Sequence, residues 1–412
     1  MTKRGLALVG IALVLYAFAN QTQVGWLYVF SAAALALWLS SWPLPSRMLR
    51  SLRLARRVNG SSLGSDLELH AGDAVTIELD VTSRGWLPAL QVTGTDTCPL
   101  APAPERRRPF FLPHVGPGRT ETLAYAATCA RRGWFSFGPV PLATQAPFGL
   151  WAARRAAMVD GPDGVLVFPE YRALDRLDFF DRQPALESSL AAAGQGGEFL
   201  GVRDYRPGDP RRHVHWRTTA RAGRLVVKEF AQEQQPALTI ALDLRAAGLV
   251  GGNDNNPLEL GIKAAASLAH HAQQRGIPVR LAANSRRWPA PRGVLSWWAL
   301  LTYLARVEAE GDEPLAPALR QVSDASFLAA SFVAAILPAP DPDVVAPLLA
   351  WQRAGLAVLA VVVDPAAFAP AEPWLGKAAR RVAGELAAGG VAVRLLGAEP
   401  DWERTLVEGE RP

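Results

Sequence analysis

Two apolar runs open the chain, residues 5–19 and 24–39, uncharged throughout and separated only by the polar stretch 20–23. Each is close to the roughly 17 residues that a helix needs to cross a bilayer. A signal peptide followed by a core helix would give a similar pattern, but no small-residue cleavage site follows the first run. Trp26, Tyr28, Trp38 and Trp42 in and after the second run fit an interfacial aromatic belt. The pattern therefore predicts a transmembrane helical hairpin over residues 1–45. Lys3 and Arg4 flank one end, and Arg47, Arg50, Arg53, Arg56 and Arg57 the other. The bias of basic residues puts both ends, and all that follows, in the cytoplasm beside the inner membrane. Residues 46–64 read as a basic juxtamembrane linker.

Beyond this the period changes. From 65 to 168 short segments alternate apolar and polar positions, as in Val75, Ile77, Leu79 and Val81, and Gly and Pro divide them. Strands are predicted at 67–70, 74–82, 90–93, 120–127, 133–137 and 140–144, which together make a β-sandwich-like domain. Arg106, Arg107 and Arg108 read as a solvated loop tip. Residues 169–235 read as a linker followed by a dense charged stretch, with a strand over 224–230.

From 236 to 400 continuous apolar runs alternate with amphipathic ones. Strands are predicted at 237–242, 278–282, 331–337, 356–363 and 391–396, and helices at 257–275, 297–309, 342–353 and 374–388, the first capped by Asn256. Unbroken apolar strands between helices predict a doubly wound parallel sheet covered on both faces. Ligands of such sheets bind at the carboxyl ends of the strands. Asp243 and Asp364 stand there. Residues 401–412 read as a tail.

Composition narrows the functional classes. Of 412 residues 50% are hydrophobic and 20% charged, which is globular with an apolar excess, and the net charge of +5 is too modest to argue for nucleic acid. The two cysteines, Cys98 and Cys129, offer neither a disulfide framework nor zinc-ligand spacing, as in a reducing compartment. No G-x-x-x-x-G-K-[ST] phosphate loop occurs.

The densest chemistry lies between Gly196 and Asp243. Glu198, Phe199, Arg203, Tyr205, Gly208, Asp209, Arg212, Trp216, Ala220 and Arg221 keep the spacing E-F-x-x-L-R-x-Y-x-x-G-D-x-x-R-x-I-x-W-x-x-S-A-R. Val202, Val214 and Thr219 replace its Leu, Ile and Ser. This signature resembles that of the bacterial domain-of-unknown-function 58 family. The segment 131–151 resembles the same family's R-G-x-φ-x-φ-G-P-φ and D-P-F-G-L-φ patterns, with Ala146 in place of the Asp. It reads as architectural. The resemblance implies a membrane anchor, a β-rich domain and a von Willebrand factor A-like domain. It also implies association with MoxR-type AAA+ ATPases and, in some cases, with transglutaminase-like membrane proteins.

Two candidate sites follow. Glu198, Arg203, Asp204, Tyr205, Asp209, Arg212, Trp216 and Arg221 are expected to form an ion-paired docking network, with Arg203, Arg212 and Arg221 pairing with Glu198, Asp204 or Asp209. The competing reading is a hydrolase or metal-dependent enzyme built on Asp204, Asp209, His213 and His215. The second candidate is the end of the first strand of the α/β domain. Domains of the implied type hold a divalent cation there through D-x-S-x-S, since Mg²⁺ favours hard oxygen ligands. This chain has Asp243-Leu244-Arg245-Ala246-Ala247. Arg245 is expected to serve as internal counter-ion to Asp243, leaving a degenerate metal position. No catalytic residue, metal or cofactor is expected, and the expected role is a membrane-anchored scaffold for an AAA+ partner.

Overall fold

The computed structural model describes residues 1–64, 67–162, 164–177, 179, 199–206, 214–230, 237–246, 249–252, 255–321, 332–339 and 341–408. The chain divides into two compact units, residues 1–168 and 169–412.

The first unit begins with α1 (Lys3–Thr22) and α2 (Gly25–Ser41), both long and apolar enough to cross a membrane. Thr2 caps α1 by accepting from the Gly5 amide at 3.1 Å, and Gln23, in the left-handed region at φ 57°, closes it. The helices meet through small residues that let the backbones approach. Ala12, Ala19 and Ser31 are buried, and Ser31 Oγ donates to the Ala12 carbonyl at 2.7 Å. Leu6, Ile11, Val14, Phe18 and Phe30 point outward and are exposed. A core helix of a water-soluble fold would bury such side chains.

The stretch expected as a basic linker is structured. α3 (Leu44–Ser51) buries Met48 and Leu49 and leads straight into β1 (Leu52–Val58). In β1, Leu52, Leu54 and Val58 point inward, but so does Arg56, which hides the period-two pattern from a reading by hydropathy. Arg56 Nη2 meets Asp96 Oδ1 at 2.5 Å, Tyr125 donates its hydroxyl to Asp96 Oδ2 at 2.7 Å, and the guanidinium lies 4.5 Å from the Phe137 ring centre. A buried cation is tolerated because its charge is answered there by the Asp96 carboxylate.

The remaining strands are β2 (Ser61–Ser62), β3 (Ala74–Ser83), β4 (Ala89–Thr97), β5 (Arg107–Val115), β6 (Thr120–Thr128), β7 (Gly133–Ser136), β8 (Val140–Thr144), β9 (Ala153–Ala157), β10 (Val159–Asp160) and β11 (Gly164–Val167). One sheet runs β10-β1-β3-β6 with β2 beside β1, a second runs β5-β4-β8-β9, and β7 pairs with β11. The ladders are antiparallel apart from β1–β10. Leu79 and Val81 pack with Val92, Leu112 and Leu142, whereas Val75 and Ile77 pack with Cys98, Cys129 and Phe135. Both cysteines are free thiols, and burial raises each, pushing Cys129 up to about 12. The arginine cluster expected at a loop tip instead leads into β5, with Arg106 Nε held by the Ala101 carbonyl at 3.0 Å.

The second unit starts with a hairpin of β12 (Phe199–Asp204) and β13 (Val226–Phe230), between which lies the short helix α4 (Trp216–Ala222). β14 (Leu238–Leu242), α5 (Pro257–Gln274), β15 (Val279–Ala283), α6 (Trp297–Arg306), α7 (Leu315–Gln321), β16 (Phe332–Leu337), α8 (Val345–Arg353), β17 (Ala357–Val363), α9 (Leu375–Ala388), β18 (Ala392–Leu396) and α10 (Trp402–Glu408) follow. Asn256 caps α5 as expected, accepting from the Glu259 amide at 3.0 Å. The five-stranded sheet is parallel throughout, in the order β15-β14-β16-β17-β18. Every residue of β14 and β16 is buried, which explains their unbroken apolar sequence. The expected tail is also corrected. α10 buries Trp402 and Leu406, and Arg394 of β18 donates to the Leu406 carbonyl at 3.0 Å.

Candidate functional site

In chain order the parallel sheet reads second, first, third, fourth, fifth. The direction of winding reverses between β14 and β16, and a crevice opens at such a switch point beyond the carboxyl ends of the strands. Asp243 follows β14, Asn284 follows β15 and Asp341 follows β16, so three polar residues converge there.

Arg245 fills the space between them. Its Nη2 donates to Asp243 Oδ2 at 2.8 Å and also to the Ala339 carbonyl, its Nε lies 3.1 Å from Asp243 Oδ2, and its Nη1 meets Asp341 Oδ2 at 3.0 Å. The other side of Asp243 is held by Asn284, whose Nδ2 donates to Oδ1 at 2.7 Å and whose Oδ1 accepts from the Leu244 amide at 2.8 Å. The Asp243 side chain is fully shielded from solvent, and that of Arg245 is 14% exposed. Burial alone would lower the Arg245 pKa, but hydrogen bonds and charge from Asp243, together with Asp341 and Asp312, raise it. A guanidinium held this way is a permanent cation between two carboxylates. Asn284 and Asp341 were not singled out as partners from sequence. A polar residue directly after an apolar strand, as at Ala283-Asn284, is the available signal.

Asp364, at the corresponding end of β17, has a local role. Its Oδ1 accepts from the Ala366 amide at 3.0 Å and its Oδ2 pairs with Arg380 at 3.2 Å. A nearby cavity of about 250 Å³ is lined by Glu170, Arg172, Glu259, Lys263, Phe368 and Trp402, among others. Burial pushes the Glu170 carboxyl upward, but bonding and charge from Lys263, joined by Arg172, hold it below the ordinary range.

Of the signature residues, Glu198, Asp209, Arg212 and His213 lie outside the described residues. Arg203 and Asp204 end β12, where Arg203 Nη1 donates to the Asp204 carbonyl at 3.1 Å. The Asp204 carboxylate pairs with Arg224 at 2.9 Å, a residue outside the expected network, and both side chains are mostly exposed. The Tyr205 amide donates to the Leu225 carbonyl at 2.9 Å, continuing the hairpin ladder. His215 caps α4: its Nδ1 accepts from the Thr218 amide at 3.2 Å and lies 2.8 Å from the Thr218 hydroxyl. Trp216 and Arg221 sit on α4 with exposed side chains, the indole 67% exposed. The hairpin thus brings Asp204, Arg224, Trp216 and Arg221 onto one small element and keeps Asp243 and Arg245 on the sheet.

Comparison with known proteins gives a family match over part of the chain. The family model described as "Protein of unknown function DUF58" matches residues 201–364, from the signature hairpin to the end of β17. Residues 201–364 are thus similar to the DUF58 family. A relative is "Uncharacterized protein YeaD" of Bacillus subtilis (strain 168), 22% identical over 336 residues, or 77% of this chain and 77% of the relative. Among solved structures, a GH20 exo-β-N-acetylglucosaminidase from Vibrio harveyi is 10% identical, with coverage of 84% of this chain and 75% of that one and a TM-score of 0.22. A cycloisomaltooligosaccharide glucanotransferase from Paenibacillus sp. is 11% identical, covering 76% of this chain and 45% of that one at a TM-score of 0.14. Scores this low carry no fold or functional argument.

Proposed function

We propose that this chain is a membrane-anchored docking protein without catalytic activity. In this reading α1 and α2 form a transmembrane hairpin with both ends in the cytoplasm, and the antiparallel sheets form a β-sandwich. The parallel sheet is a von Willebrand factor A-like, doubly wound domain at the cytoplasmic face of the inner membrane. The partner is a MoxR-type AAA+ ATPase, engaged in assembly or maturation of membrane-associated complexes.

The supporting observation is the occupation of the switch point by Arg245, paired with Asp243 and Asp341 where such a sheet would receive a ligand or a metal. The signature hairpin, by contrast, carries Trp216, Arg217 and Arg221 at its surface, and exposed Trp and Arg are the residues that most often anchor protein interfaces. A hydrolytic or metal-dependent reading based on Asp204 and His215 is disfavoured because Arg224 pairs with the one and capping of α4 engages the other. The test is copurification of the tagged full chain from native membranes with identification of bound proteins by mass spectrometry. An AAA+ ATPase should be enriched with the wild type and lost with Trp216→Ala. Equal enrichment with the variant, or none with the wild type, would refute the proposal.

A further inference from the structure

The turn at 145–149 belongs to a segment first read as architectural, and its position suggests more. Thr2, the cap of α1, is bound to it twice: the Thr2 amide donates to the Leu150 carbonyl at 3.2 Å and its Oγ1 to the Gly149 carbonyl at 2.6 Å. At the other helix, Trp151 Nε1 donates to the Trp38 carbonyl at 3.0 Å, and its ring centre lies 5.0 Å from that of Trp38 and 6.1 Å from that of Trp42. The backbone comes so close that a Cβ at Gly5 would collide with the Leu150 carbonyl oxygen. Residues 149–151 are therefore tied to the first turn of α1 and the last turn of α2. That fixes their height: they lie where the apolar runs end and the tryptophans gather.

Phe148 precedes this tie and is 52% exposed, and Met1, next to the tied Thr2, and Trp42, whose ring faces that of Trp151, are exposed as well. Lys3 and Arg4, which follow the tied Thr2, and Arg47 of α3 have exposed side chains, and the Arg4 guanidinium lies over Gly149. An exposed aromatic beside a cation suits the boundary between headgroups and acyl chains, where aromatic rings are favoured and basic side chains meet lipid phosphates. In water the same side chain would leave its apolar surface hydrated.

We propose that Phe148 is a membrane-surface wedge that inserts into the headgroup–acyl boundary beside the cytoplasmic ends of the two helices and so holds the β-rich unit against the bilayer. This rests on the reading of α1 and α2 as a transmembrane hairpin.

The test reconstitutes the full chain in vesicles of phosphatidylcholine and phosphatidylglycerol, with an environment-sensitive fluorophore on a single introduced cysteine and lipids spin-labelled either near the headgroup or deep in the chain. Cys98 and Cys129 are fully buried and do not compete for label. Phe148→Cys should show blue-shifted emission quenched by the shallow label. Ile11→Cys, on the outer face of α1, should be quenched by the deep one. Glu105→Cys serves as the aqueous control, because Leu90 at the other end of β4 is the residue bound to Thr144 beside the turn. If position 148 behaves like 105 while position 11 is quenched, the wedge is wrong and the anchor stands. If position 11 is also unquenched, the anchor reading falls and the wedge with it.

Discussion

Arg245 holds the Asp243 carboxylate from two residues away, with Nε 3.1 Å and Nη2 2.8 Å from Oδ2, and reaches Asp341 with its remaining nitrogen at 3.0 Å. One guanidinium thereby joins the carboxyl ends of β14 and β16, the two strands between which an open α/β sheet usually accommodates its ligand.

Removing that cation should be costly. Arg245→Ala leaves two shielded carboxylates facing each other without a counter-ion, and the expected loss is roughly 3–5 kcal/mol. Arg245→Lys should recover less than half, since an ammonium cannot reproduce the planar fork that engages Asp243, Asp341 and the Ala339 carbonyl together. Urea unfolding of the full chain in detergent measures both. A loss under about 1 kcal/mol for Arg245→Ala would mean that the pair is no more than a surface contact.

The Arg56–Asp96 pair gives the same test in the first unit. Asp96→Ala strands a cation whose side chain is 1% exposed and takes away the acceptor of the Tyr125 hydroxyl. It should cost roughly 3–5 kcal/mol, whereas the apolar double replacement Arg56→Met with Asp96→Leu should cost far less, because no charge is then left buried. Equal losses for the single and double variants would show that packing, not charge, dominates.

Glu170 should make stability fall in acid. Its folded pKa is depressed by Lys263 and Arg172. The contribution is therefore present above the ordinary carboxylate range and is lost as pH falls through the folded value. Lys263→Met should flatten that acid limb in a pH series of unfolding midpoints. A limb unchanged by the substitution would assign the acid sensitivity to other groups.

The signature hairpin should separate stability from binding. Asp204 and Arg224 have side chains 60% and 69% exposed, so Asp204→Ala should cost no more than about 1 kcal/mol. That is well below the cost expected for a partly buried network. Trp216→Ala should be equally mild in unfolding yet abolish partner capture. A large loss of stability from either would make the hairpin structural.

What sequence conveyed depended on whether a residue's neighbours share its segment. The runs over 237–242, 331–337 and 356–363 were legible because a strand buried on both faces has no polar position to confuse. The pairing of Arg245 with Asp243 was equally readable, since the two stand two positions apart. Arg56 and Asp96 are 40 positions apart, and only the folded sheets reveal that an inward arginine finds its carboxylate. Asn284 reaches Asp243 across 41 positions for the same reason. The Asp204–Arg224 pair was not legible for the same reason, since it is the pairing of β12 with β13 that brings Arg224 to the carboxylate.

The most direct measurement is isothermal titration of Mg²⁺ and Mn²⁺ into the full chain, wild type and Arg245→Ser side by side. With Arg245 serving as the counter-ion of Asp243 and Asp341, the wild type should give no heat beyond dilution, and Arg245→Ser, which frees both carboxylates and adds a hydroxyl, should gain measurable affinity. Micromolar binding by the wild type that Asp243→Ala abolishes would contradict the internal-counter-ion reading and restore a metal-dependent function.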